Sequence, residues 1–82
     1  MIKKVKVNLN QIESVKKFVE ISSNLQSEVT VQSGRYIVDG KSFLGIMSLN
    51  LYDPVDVEII GKNKLEIESF LNMMKQFEET EN

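Results

Sequence analysis

The chain has 82 residues and a formal net charge of −2, with 10 Lys and Arg against 12 Asp and Glu, no cysteine and no histidine. That length makes a single domain over 1–82 with a small core. Without thiols there is no disulfide framework; without thiols and imidazoles the usual ligands of zinc and other transition metals are missing, so neither a metal nor a cofactor is expected. The charge balance carries no basic footprint for nucleic acid, and no apolar run approaches the ~20 residues of a membrane span, so a cytoplasmic protein is expected.

Ile2 to Leu9 alternates, with Val5, Val7 and Leu9 on one face and Lys4, Lys6 and Asn8 on the other, which predicts a half-buried strand. Asn10 with Glu13 three residues on reads as a capping box opening a helix. Ile12, Val15, Phe18 and Val19, widened by Ile21 and Leu25, form its apolar stripe, and the helix is expected to end near Leu25 or Gln26. Glu28 to Gln32 alternates again. Ser33-Gly34 reads as a tight turn, because glycine tolerates the positive φ of hairpin turns, and Arg35 to Asp39 returns as the next strand. Ser42 is placed to cap a short helix running to about Asn50, with Gly45 weakening its middle. Tyr52-Asp53-Pro54 is a loop, and Val55, Val57 and Ile59 alternate with Asp56 and Glu58 as a fourth strand that Gly61 ends. Asn63 and Glu66 repeat the capping pattern before a stripe of Ile67, Phe70, Leu71, Met74 and Phe77. The tail 79–82 has nothing to bury and is expected to fray. The order is β-α-β-β-α-β-α, an α+β arrangement. Lys4 and Lys6 are expected to face Asp56 and Glu58 across the sheet.

The run Lys41-Ser42-Phe43-Leu44-Gly45-Ile46-Met47-Ser48-Leu49 closely resembles the regulatory-serine segment of HPr, the histidine-containing phosphocarrier of the sugar phosphotransferase system. The element order resembles that family's as well, over roughly Val5 to Phe77. The resemblance implies an open-faced sandwich, a four-stranded antiparallel sheet with three helices on one face. It places Ser42 on the serine phosphorylated by HPr kinase, and Phe43, Leu44 and Met47 on the apolar patch used to dock partners. Lys16 and Lys17 on the first helix would form a basic rim to that patch. The family's second motif, a Gly-x-His-Ala-Arg-Pro-like run between the first strand and first helix, is absent. Counting back from Ser42 puts Gln11 at the histidine, Glu13 at the arginine and Ser14 at the proline, across a connection about three residues shorter.

A phosphocarrier needs a nucleophilic nitrogen whose phosphorylated form passes its group on. The amide of Gln11 is a poor nucleophile, Ser14 would form a stable ester, and Glu13 repels phosphoryl oxygens that an arginine would bind. The implied function is therefore a regulatory or protein-interaction module of the phosphotransferase and catabolite-control system. It would be no enzyme, could be switched by phosphate on Ser42, and would have a protein such as HPr kinase or a transcriptional regulator as partner. HPr paralogues with glutamine at the histidine position act in catabolite repression and resemble it in this respect. Two alternatives stand beside it: a phosphocarrier component using an unusual residue, and a degenerate scaffold subunit without phosphate chemistry. A monomer or weak dimer is expected.

Overall fold

Alternating apolar residues on three extended segments, with a short fourth strand returning from a tight turn, make the sheet. In a computed structural model, which describes residues 1–78, the strands are Ile2–Val7 (β1), Glu28–Ser33 (β2), Tyr36–Asp39 (β3) and Val55–Ile60 (β4). The helices are Ile12–Ser23 (α1), Phe43–Met47 (α2) and Lys64–Met74 (α3), and a 3-10 turn at Lys75–Phe77 prolongs the last. The tail 79–82, expected to fray, lies outside the described residues.

The sheet is antiparallel throughout in the order β1-β4-β2-β3. Its register sets Val5 against Val57, Val29 against Ile59, and Val31 against both Val57 and Val38. These side chains share one face, because successive strand residues point to opposite sides. There they join Phe18 of α1, Ile46 of α2, and Ile67, Phe70 and Met74 of α3 in one core. Phe18 stands edge-on to Phe70 and to Phe77, with ring centroids 6.4 and 6.2 Å apart. All three helices therefore cover the same face. On the open face Lys6 pairs with Asp56 at 2.9 Å, and Lys4 lies opposite Glu58 in the register. With both partners of the Lys6 pair well exposed, it contributes at most about 1 kcal/mol.

Three helix boundaries differ from expectation, each for a local reason. The Oδ1 of Asn8 accepts from the Asn10 amide at 3.0 Å, which turns the chain before the helix. The N-cap is accordingly Gln11, extended at φ −116° and without a side-chain cap bond, so the Asn10–Glu13 capping box does not form. Ile12, one residue inside the helix, stays exposed, and the buried stripe runs through Val15, Phe18 and Ser22. At the other end, Asn24 and Leu25 donate to Ile21 and Ser22 in tight i to i−3 bonds, which close α1 at Ser23. Helix α2 stops at Met47 because the Ser48 hydroxyl donates to the Gly45 carbonyl at 2.6 Å and the Leu49 amide turns back to Ile46.

Candidate functional site

The residues singled out in the sequence fall on α1, α2 and the turn before each, and α1 and α2 are packed neighbours over the same sheet face. Ser42 is the N-cap of α2: its backbone is extended, and its Oγ accepts from the Gly45 amide at 3.0 Å. The approach is set from β3. Asp39 Oδ1 accepts from the Lys41 amide at 2.9 Å, and the Asp39 carbonyl accepts from the Ser42 amide at 3.1 Å. Strand β3 thus aims Ser42 at the start of the helix.

Gly45 has a packing role that sequence reasoning missed. A Cβ there would lie 3.0 Å from Ser42 Oγ and 3.4 Å from Val38 Cβ. The glycine lets the first turn of α2 close on its own cap and on β3. The helix propensity lost at this position is the cost of that approach, about 1 kcal/mol.

The apolar residues of α2 divide. Ile46 is fully buried, and Phe43 is half-buried against the rim of the core. Leu44 is 79% exposed and Met47 40%. The exposed apolar residues of α2 are thus Leu44 and Met47, while Phe43 turns toward the core. Lys16 and Lys17 are exposed on α1 and enter no ion pair among the described residues. Gln11 is exposed at the mouth of α1, Glu13 lies in the first turn, and the Gln11 carbonyl accepts from the Val15 amide at 3.1 Å.

A second group also escaped the sequence, because its members lie about forty positions apart. Asn63 caps α3 as expected, its Oδ1 accepting from the Glu66 amide at 3.1 Å. The Glu66 carboxylate, expected to complete that capping box, instead crosses to the loop before β2. It accepts from the Gln26 amide at 3.1 Å, from the Ser27 amide at 3.1 Å and from the Ser27 hydroxyl at 2.6 Å. The Ser27 hydroxyl first, and then the Gln26 amide, hold this carboxyl below its usual range; partial burial opposes them, and the Ser27 amide and the charge of Lys41 add to the lowering. The Lys41 ammonium donates to the Leu25 carbonyl at 2.9 Å. Lys41 and Glu66 therefore fasten one loop from two sides, and α2 is anchored to the end of α1 through it. The only signal in the sequence was the Asn63–Glu66 spacing, which has a local explanation.

A four-stranded antiparallel sheet covered on one face by three helices is the arrangement of a known family. A family model described as "PTS HPr component phosphorylation site" matches residues 11–79. The chain belongs to the HPr family. Solved HPr-like structures repeat the fold. HPr-C-His from Thermoanaerobacter tengcongensis superposes with a TM-score of 0.72 at 20% identity, over 93% of this chain and 92% of that one. The phosphocarrier protein HPr from Bacillus anthracis gives 0.67 at 20% identity, over 90% and 95%. The Bacillus subtilis catabolite repression containing protein Crh, described as an intertwined dimer with a swapping domain, gives 0.63 at 22% identity, over 94% and 90%. At these identities the structures share the fold alone. Among curated proteins none matches. The HPr family is one of phosphocarriers of the phosphotransferase system rather than of enzymes. Among the described residues no three His, Cys, Asp or Glu side chains converge to hold a metal ion, and no helix is long and apolar enough to cross a membrane.

Proposed function

We propose that this HPr-family chain is a cytoplasmic regulatory or protein-interaction module that does not carry phosphate on histidine. The observation that carries this reading is Gln11 at the N-cap of α1 in a chain without any imidazole. Transfer needs a nucleophile at the helix entry and positive charge around the group it accepts. The entry instead offers an amide, with the Glu13 carboxylate in the following turn.

The docking surface in this reading is Leu44 and Met47, with Phe43 turned toward the core and Lys16 and Lys17 on the neighbouring helix. Ser42 is its switch. Phosphate on Oγ would add about −1.5 to −2 charge and three acceptor oxygens beside exposed apolar side chains. Helix α2 has only five residues, so its dipole contributes little and the switch acts through surface charge. A protein partner with an arginine facing the patch would then select the phosphorylated form. HPr kinase and a transcriptional regulator are the partner classes that fit.

HPr kinase and ATP test the switch: wild type takes up about one phosphate and Ser42→Ala takes none. Equal labelling of the two, or none on wild type, would leave Ser42 as a cap alone. The alternative of a phosphocarrier component is favoured by the family model's description as a phosphorylation site. It requires transfer from enzyme I to a residue other than histidine. Failure of both enzyme I and HPr kinase to label the chain would favour a scaffold without phosphate chemistry.

A further inference from the structure

The two edges of the sheet are β1 and β3, and they are treated differently. Strand β1 carries Lys3, Lys4 and Lys6, the charge pattern that blunts an edge against pairing. Strand β3 has no lysine, and it exposes Tyr36 by 69% and Ile37 by 61%. Among the described residues its outer backbone also pairs with no strand. The β2–β3 hairpin closes at Ser33 and Tyr36, and the Gly40 amide donates inward to the Val29 carbonyl at 2.7 Å. Tyr36, Val38 and Gly40 therefore direct their amides to β2, and Ile37 and Asp39 direct theirs outward.

From this edge we infer that β3 pairs antiparallel with β3 of a second copy, centred on Ile37, to join the two sheets into one. The strand is self-complementary in both ways that such an axis demands. Two Ile37 residues facing each other exchange their outward N–H and C=O groups, and the outward Asp39 amide meets the Arg35 carbonyl of the second copy. The Asp39 carbonyl already accepts from Ser42, so it takes no part. Ile37 and Asp39 alternate onto the open face, and both are exposed, as is Arg35 in the turn that immediately precedes the strand. The same axis that sets Ile37 on Ile37 sets the Arg35 guanidinium opposite Asp39 of the second copy, twice. Asp39 Oδ1 is engaged by the Lys41 amide, which leaves Oδ2 for that pair. A β1–β1 pairing would bring lysines together instead. A four-residue edge buries far less than the ~1,600 Å² of a standard interface, so the association is weak, with a dissociation constant on the order of 0.1–1 mM.

Sedimentation equilibrium of the whole chain from about 10 μM to 2 mM, spanning that constant, tests the pairing. Wild type is expected to approach a dimer at the upper end, with the Ile37 and Asp39 amides slowing in hydrogen exchange as concentration rises. Ile37→Pro removes an amide that faces away from β2, so the hairpin can form, and it should abolish the dimer. Arg35→Glu, at an exposed turn position, should weaken it at least tenfold by setting glutamate against Asp39 twice. Arg35→Glu mixed with Asp39→Lys should associate where neither does alone, with circular dichroism confirming that each variant is folded. A wild type that stays monomeric to 2 mM overturns the inference, including the case in which β3 serves a strand from another protein. So does a dimer indifferent to Ile37→Pro and to Arg35→Glu, or a charge-swapped mixture that stays apart.

Discussion

Two residues that look incidental in the sequence hold the loops that present α2. The depressed Glu66 carboxyl has a definite sign in its pH dependence. A carboxyl held below its usual value, near 4.5, contributes stability in full above that value, and the contribution is lost as pH falls through the lowered one. Urea titrations at pH 7 and pH 3 should therefore show wild type losing more stability on acidification than Glu66→Gln. Equal losses would mean that the Ser27 contacts add nothing. Gly40 is the other. A Cβ there would lie 2.5 Å from Val29 Cγ1 and 3.0 Å from the Val29 carbonyl oxygen. Gly40→Ala must displace a core strand, and it should cost about 1–3 kcal/mol in a denaturant titration. Gly34 differs in kind, since it has open space around it and a φ of +63° that only the turn requires.

At the scale of elements, α2 is small enough that its cap and its two faces can be tested separately. Ser42→Ala removes the bond to the Gly45 amide and should lower stability by about 1 kcal/mol with the sheet unchanged, as circular dichroism and thermal unfolding would read. Leu44→Asp, at the exposed tip, should stay within ~0.5 kcal/mol of wild type, whereas Phe43→Ala should cost about 1–3 kcal/mol. Equal effects would contradict the division of α2 into a side chain that packs on the core and one that is exposed. Strands β1, β2 and β4 were legible from alternation alone, because each has one dry and one wet face: Val5, Val7, Val29, Val31, Val55, Val57 and Ile59 all point as read, whereas β3, with Tyr36 and Ile37 both exposed, was marked by the turn before it. The caps at Ser42 and Asn63 were legible too, since each bond lies within three residues. The start of α1 was not. Asn8 captures the Asn10 amide, and two neighbouring asparagines compete for one turn in a way that spacing cannot decide. Nor was the Glu66 clamp, because it pairs groups about forty positions apart that only the fold brings together. Of the candidate site, the serine and its cap were readable. The separation of Phe43 from Leu44 and Met47 was not, because a helix apolar on nearly every side does not reveal which side the sheet covers.

At the scale of the whole molecule, an HPr-family fold is preserved in a chain that contains no histidine. The fold explains how that can be. The core is built by strand alternation and by the Phe18, Phe70 and Phe77 cluster, and none of it depends on the residue at position 11. Gln11 is exposed and contributes only its backbone carbonyl to the first turn of α1. The fold therefore sets no requirement on the residue at position 11, and the exposed Leu44 and Met47 of α2 and Lys16 and Lys17 of α1 keep their places whatever stands there. The most direct test of this account is incubation of the chain with enzyme I and labelled phosphoenolpyruvate, with a histidine-bearing HPr as positive control. The account predicts that the control takes up acid-labile phosphate and this chain takes up none; acid-labile label on this chain would contradict it.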